Sequence, residues 1–243
     1  MKVLGVIPAR FASSRFPGKP LIDLKGKTMI QRVYEGAKKS NLIDELIVAT
    51  DDERILNEVK RFGGKAMMTS EKHPSGTDRC AEVLNDNPKF DLVINIQGDE
   101  PLVDFRQLDS LIEAFSDDSV EIATLATENI SESELMNPNR IKVVVNNLDK
   151  AMYFSRSAIP NFNNFSGDPF KTYPFLRHIG LYAYRSEVLK SITELSPTVL
   201  ERIESLEQLR WLYYGYQIKI VKTEIETPNI DTPEDVEKVL ACL

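Results

Sequence analysis

The chain has 243 residues, with 30 Lys plus Arg against 37 Asp plus Glu and a net charge of -7. It therefore lacks a basic nucleic-acid footprint, and it is long enough for one large domain or a core plus a lobe. Cys80 and Cys242 have no metal-type spacing and cannot build a disulfide framework. The first apolar run is too short for a signal peptide and no run reaches membrane-spanning length, so a soluble, cytoplasmic protein with no membrane partner is expected.

Val3-Leu4-Gly5-Val6-Ile7 reads as a buried parallel strand that Pro8 stops. The loop that follows holds Pro17, Gly18 and Pro20, and it places Arg10, Arg15 and Lys19 within ten residues. A loop leaving the carboxyl end of a first strand is where open α/β sheets bind ligands, and its cations suit a triphosphate. The spacing is not that of a Walker A loop, and a solvated basic loop is the bland alternative. Helical periodicity begins at Met29, Ile30, Val33 and Ala37. Residues 45–50 read as a second strand, with Asp51-Asp52 initiating a helix that buries Ile55, Leu56, Val59 and Phe62 and ends at Gly63-Gly64. Residues 91–96 form another strand, ending in Gln97-Gly98-Asp99-Glu100-Pro101, and a helix with Leu108, Leu111, Ile112 and Phe115 follows. This alternation argues for a parallel sheet flanked by helices.

The pattern changes after about residue 120. Strands are expected at 121–127, 141–146, 178–184 and 217–225, with 160–175 an Asn-, Pro- and Phe-rich excursion over the sheet. Leu200, Ile203, Leu206, Leu209 and Leu212 mark one helix. The last helix is expected to open with Thr232 as N-cap and Pro233 at its first position.

Asp99, just past a strand end in a Gly-containing turn, is a candidate Mg²⁺ ligand, although a strand-end Asp also serves as a cap or turn former. Asp231 is a second candidate, with capping as its alternative. Ser75-Gly76-Thr77-Asp78-Arg79 is a polar turn that could meet a base edge or ribose, with Arg79 near phosphate, or simply a helix start. His178 within an apolar strand reads by default as an interior hydrogen-bonded histidine. Arg156 could face water or a sugar acid's carboxylate. Glu207 and Gln208 interrupt an apolar helix, as solvent-facing residues also would.

Taken in order, Ile7-Pro-Ala-Arg through Pro-Gly-Lys-Pro20, Ala49-Thr-Asp51, Ser75-Gly-Thr77, Gln97-Gly-Asp-Glu-Pro101, Phe154-Ser-Arg156, Arg177-His178, Leu206-Glu-Gln-Leu-Arg210 and Asp231-Thr-Pro-Glu-Asp235 resemble the 3-deoxy-manno-octulosonate cytidylyltransferases. The resemblance covers residues 2 to about 240. It implies a Rossmann-like nucleotidyltransferase fold of α/β class, with a mostly parallel central sheet flanked by helices. It also implies a single domain over 1–243 with a smaller sugar-binding and dimerisation lobe inserted around 130–215. The expected activity is CMP transfer from CTP to 3-deoxy-D-manno-octulosonate (Kdo), serving lipopolysaccharide biosynthesis, with Mg²⁺ as cofactor and a homodimer as the assembly. Carried over, Arg10, Arg15 and Lys19 would hold the triphosphate, with Lys19, Arg15 and Asp99 as the catalytic set. Ser75, Gly76, Thr77 and Arg79 would surround the nucleotide, and Asp99 and Asp231 would bind the metal. Gln97, Arg156, His178, Tyr182, Glu207 and Gln208 would line the sugar-acid pocket. Two positions depart from the family pattern: Val199-Leu200-Glu201 and Asn229-Ile230. A cytidylyltransferase for a different sugar acid and an inactive nucleotide-binding module are the rival readings.

Overall fold

A computed structural model describes residues 1–12, 16–230 and 232–243. The chain divides into two compact units: Met1–Ile112 with Ala183–Thr193 and Thr227–Leu243, and Glu113–Tyr182 with Glu194–Glu226. The second unit is thus larger than the expected 130–215 lobe, and residues 183–193 leave it to join the first.

In the first unit, strand β1 is Val3–Ala9, the short strands β2 (Asp23–Leu24) and β3 (Lys27–Thr28) pair as a ribbon, and β4 (Glu45–Thr50), β5 (Ala66–Met68) and β6 (Leu92–Asn95) complete the set. The sheet order is β6-β1-β4-β5, every pair parallel. β1 is buried along almost its whole length, as a strand covered on both faces must be. It does not stop at Pro8. Pairing with β4 runs on to Ala9, whereas pairing with β6 ends at Val6, whose carbonyl accepts from Ile96 N at 2.9 Å. Backbone groups alternate sides along a strand, so Pro8 faces the same way as Val6, beyond the end of β6. Its missing N–H therefore interrupts no strand pairing with β6.

Helix α1 (Met29–Ala37) is capped by Thr28, whose side chain accepts from Gln31 N, and it buries Met29, Ile30, Val33, Tyr34 and Ala37. Helix α2 (Glu53–Arg61) starts on Asp52, whose carboxylate accepts from Arg54 N. Helix α3 (Gly76–Asp86) starts on Ser75, so the helix-start reading of that turn is what the backbone does. Helix α4 is Phe105–Glu113. The last helix begins at Asp235 rather than at Pro233. Thr232 is not its cap. The Asp235 carboxylate instead accepts from Thr232 N at 3.0 Å, and turn bonds Asp235 N→Thr232 O and Val236 N→Pro233 O precede the helix.

In the second unit, β7 (Ile122–Thr127) lies between β11 (Ile218–Lys222), to which it is parallel, and β10 (Leu176–Arg185). β8 (Lys142–Val145) runs antiparallel to both β10 and β9 (Ala151–Ser155). Residues 160–175 are folded rather than a bare loop. They contain the short helix Pro169–Thr172, and the Phe162, Phe170, Tyr173 and Phe175 rings pack at centroid distances of 5.1 to 6.4 Å. The single helix expected from Leu200 to Leu212 is two, Val199–Glu204 and Gln208–Tyr213, separated at Ser205, whose φ is 53. A spacing of three drifts by about 60° per step on a helix of 3.6 residues per turn, so those leucines cannot share one buried stripe. The break resolves this: Leu206 and Leu209 are buried while Ile203 is exposed. Arg210 joins the two helices through a bidentate pair with Glu201, at 2.8 and 2.5 Å.

Candidate active site

Pro8, at the carboxyl end of β1, is the meeting point of the first unit's candidate residues. A β-carbon at Gly98 would lie 2.5 Å from the Pro8 carbonyl oxygen, and one at Gly76 would lie 3.4 Å from Pro8 Cγ. The turn after β6 and the first turn of α3 therefore both close on the end of β1. Glycine at 98 is required by this approach to backbone.

The loop after β1 is shaped by its own contacts. Arg10 Nη2 donates to the His73 carbonyl, holding the loop against the segment that leads into α3. Gly18, at φ 73, donates from its N–H to Phe11 O at 2.9 Å, and the Arg54 guanidinium stacks 3.3 Å over the Phe11 ring. Arg15 lies outside the described residues. Lys19 opens a 3-10 turn, Lys19–Leu21, and reaches two acceptors: Asp99 Oδ2 at 2.8 Å and the Ile230 carbonyl at 2.7 Å. Ile230 N–H in turn donates to the Asp99 carbonyl at 2.9 Å. Buried Ile230 packs with Leu24, Met29 and Val239, and with part-buried Phe16 and Leu102. Apolar packing thus fixes the segment that carries the Lys19 acceptor. Asp231, next in sequence, lies outside the described residues.

The Asp99 side chain is 28% exposed, so its carboxylate is reachable while Lys19 supplies the facing positive charge. Among the described residues no group of three or more His, Cys, Asp or Glu side chains gathers to hold a metal ion. Mg²⁺ needs only one or two protein carboxylates and completes its shell with water and phosphate, so the hard oxygens of Asp99 fit that ion. Gln97 begins the same turn, its carbonyl accepting from Glu100 N, and buried Glu100 accepts from Thr227 Oγ1 at 3.2 Å.

Ser75 Oγ accepts from Asp78 N at 3.2 Å and donates to the Asp78 carboxylate at 2.5 Å. Gly76 and Thr77 form the first turn of α3, whose amino end and dipole favour an anion. Arg79 is not at an open surface. Its guanidinium is wholly buried, donating to Asp51 at 2.7 Å and to Thr69 Oγ1. Of the Asp51-Asp52 pair, then, only Asp52 caps a helix, while Asp51 neutralises a buried cation. The signal for this was the placement of Arg79 among Cys80, Val83 and Leu84 on the buried face of α3.

The sugar-acid candidates other than Gln97 belong to the second unit. Arg156, just past β9, donates from Nε to the Glu204 carbonyl at 2.7 Å, from Nη1 to Pro138 O at 3.1 Å and from Nη2 to Ser205 O at 3.3 Å. Carbonyls orient a guanidinium without cancelling its charge, so Arg156 stays a net cation among these three. The Glu204 carboxylate meanwhile takes Arg156 N at 2.8 Å and Ser155 Oγ at 2.6 Å. The His178 ring sits between Phe154 and Tyr182, at 5.1 and 5.3 Å, and its Nε2 shares a hydrogen bond with Thr124 Oγ1 at 3.0 Å. Burial, helped by the nearby Arg177 charge, pushes its pKa down to about 3, so at neutral pH His178 is an uncharged hydrogen-bonding group. Tyr182 packs edge-on against Trp211 at 5.3 Å. Burial, with the Glu207 charge adding to it, holds the Tyr182 phenol protonated. Gln208 is buried at the start of its helix. Sequence reasoning passed over Thr124, Glu204 and Lys142, which contact these side chains or their backbone but carry no motif of their own.

A family model described as cytidylyltransferase matches residues 4–221. The chain is 53% identical to the 3-deoxy-manno-octulosonate cytidylyltransferase of Parabacteroides distasonis, covering 100% of this chain and 98% of that protein. It is 50% identical to the enzyme of the same name from Cytophaga hutchinsonii, over 98% and 96% of the two chains. A solved structure described as CMP:2-keto-3-deoxy-manno-octonic acid synthetase complexed with CTP superposes with a TM-score of 0.93 at 44% identity, covering 100% and 98%. The α/β fold with a mostly parallel sheet flanked by helices is therefore that of the nucleotidyltransferases. No helix among the described residues is long and apolar enough to cross a membrane. From its end-to-end identity to these relatives, the chain belongs to the family of 3-deoxy-manno-octulosonate cytidylyltransferases.

Proposed function

We propose that this protein transfers CMP from CTP to the anomeric hydroxyl of 3-deoxy-D-manno-octulosonate, releasing pyrophosphate, with Mg²⁺ as its cofactor. The observation that carries the reading is the Lys19–Asp99–Ile230 arrangement at the carboxyl edge of the parallel strands, in a chain of this family. The anomeric oxygen forms a bond to the α-phosphorus, the bond to the β-phosphate oxygen breaks in line with it, and the hydroxyl proton passes to water. Such a transfer asks for alignment and charge neutralisation rather than a covalent nucleophile. Lys19 and Arg15 offset charge on the departing pyrophosphate, and Arg10 and the first turn of α3 hold the remaining phosphates and ribose. Asp99 and Asp231 are the residues to hold Mg²⁺. When bound, the ion supplies positive charge at the α-phosphate and acidifies a coordinated hydroxyl. Arg156 meets the sugar acid's carboxylate as a cation, while neutral His178, Tyr182 and Gln208, together with the Glu207 carboxylate, read its hydroxyls.

A homodimer in the cytoplasm completes the proposal. Exposed Val199, Ile203 and Tyr213, on the two short helices, offer apolar surface for the second copy. The test is pyrophosphate release from CTP and Mg²⁺ with Kdo, with sialate and with an amino-substituted octulosonate. Turnover with Kdo at least tenfold above the other two supports the reading, and a preference for another acid overturns the substrate assignment while keeping the family.

A further inference from the structure

Lys142 is a lysine with none of its surface exposed, at the first position of β8. Its ammonium donates to three carbonyls: Asn137 O at 3.0 Å, Arg140 O at 2.7 Å and Arg156 O. All three of its hydrogens are thereby used, without a carboxylate among the acceptors. Burying a cation is costly, and an apolar side chain of similar volume often serves stability as well or better. What the ammonium does, and a methionine could not, is gather carbonyls from two separate stretches of chain.

Those stretches form a closed ring. Lys142 holds the turn at 137–140 through two carbonyls. Within that turn, Pro138 O accepts from Arg156 Nη1, and the Arg156 carbonyl returns to Lys142. The strand register adds to this. Lys142 lies opposite Ser155 on β9 and opposite Arg177 on β10, and His178 N donates to Ile141 O at 2.8 Å. The start of β8 thus joins the backbone positions that present Arg156 and His178.

We infer that Lys142 is a positioning residue for sugar-acid recognition, acting by fixing the 137–140 turn and the backbone of Arg156 so that the guanidinium is presented in one orientation. The inference rests on the assignment of Arg156 to the sugar acid's carboxylate. A displaced guanidinium should weaken sugar-acid recognition while leaving the nucleotide-side residues untouched.

The test is a double-mutant cycle of Lys142→Met and Arg156→Ala in the full-length protein, with KM for Kdo and for CTP read separately and folding checked by circular dichroism. Lys142→Met is expected to raise the Kdo KM roughly tenfold with the CTP KM unchanged. In the Arg156→Ala background it should add no further change. Lys142→Gln, which keeps two donors, should fall between parent and Met variant. If Arg156→Ala raises the Kdo KM but Lys142→Met leaves it alone, or if the two effects multiply independently, Lys142 does not act through Arg156. An unchanged Kdo KM in Arg156→Ala removes Arg156 itself from the sugar site, a distinct failure of the assignment beneath. Should both Lys142 variants fail to fold, the residue is a determinant of folding and the positioning role is overturned.

Discussion

The Lys19 ammonium lies 2.8 Å from Asp99 Oδ2 and 2.7 Å from the Ile230 carbonyl, contacts between residues 80 and 211 positions apart. One cation thus joins the loop after β1, the turn after β6 and the segment leading to Asp231. Loss of the Asp99 charge should remove catalysis before it removes structure. Asp99→Asn keeps the size and one acceptor oxygen, and a partly exposed pair such as this one contributes at most about 1 kcal/mol to stability. Pyrophosphate release with CTP, Mg²⁺ and Kdo is expected to fall by about 10²–10³-fold, as for a lost preorganised charge, with the melting temperature within about 4 °C of the parent's. Turnover close to that of the parent would exclude Asp99 from the metal site.

Arg156→Ala separates the two substrates. The three carbonyls around its guanidinium hold the cation without neutralising it, so removal should raise the Kdo KM by at least tenfold while CTP affinity persists. Isothermal titration with CTP and steady-state kinetics in Kdo are the paired measurements. Weakened CTP binding beside normal sugar kinetics would refute the assignment.

The strands were legible because continuous apolar runs admit few alternatives: 45–50 is a strand with those same bounds, and 122–127 differs from expectation by one residue. The errors have physical causes. Proline ends a strand only where a neighbour needs its N–H, and only the pairing register shows that β6 has already ended beside Pro8. Leucines spaced by three looked like one helical stripe until Ser205 broke the run. On the site, motif residues such as Lys19 and Asp99 could be named from the sequence. The residues that hold Arg156 could not, since Lys142 and Glu204 reach it across 14 and 48 positions that no local pattern encodes.

Arg79 tests a structural role against a substrate role. Its guanidinium is wholly buried and paired with Asp51 at 2.7 Å, and cutting such a pair leaves a carboxylate without its counter-ion. Arg79→Met should destabilise the fold by about 3–5 kcal/mol in urea unfolding. Replacing both partners, with Asp51→Leu added, should recover part of that loss. A stable single variant with weakened CTP binding would instead place Arg79 on the nucleotide.

His178 gives the pH dependence its sign. Its folded pKa is depressed from 6.5 to about 3, so below 6.5 the unfolded chain binds a proton that the native ring does not. The stabilisation it provides is therefore complete above pH 6.5 and declines by about 1.4 kcal/mol per pH unit as acid is added, down to about pH 3. Between pH 7 and pH 5 the parent should lose about 2 kcal/mol more than His178→Gln, read from urea midpoints at the two pH values. Equal losses in parent and variant would show that the ring takes up its proton in the native state as readily as in the unfolded one.

Gly98 links packing to catalysis most directly. Its φ is not in the left-handed region, so alanine meets no backbone penalty there. The obstacle is the Pro8 carbonyl, 2.5 Å from where a β-carbon would stand. Backbone cannot swing aside as a side chain does, so Gly98→Ala must push the turn at 97–100 away from the end of β1. The expected cost is about 1–3 kcal/mol of stability. Because the same displacement carries Asp99 away from Lys19, activity should fall by more than that stability loss explains, with Mg²⁺ titration shifted to higher concentration. A variant with lowered melting temperature but parental turnover and Mg²⁺ dependence, assayed well below its transition, would show that the turn tolerates the shift and that the Asp99 geometry does not depend on contact with Pro8.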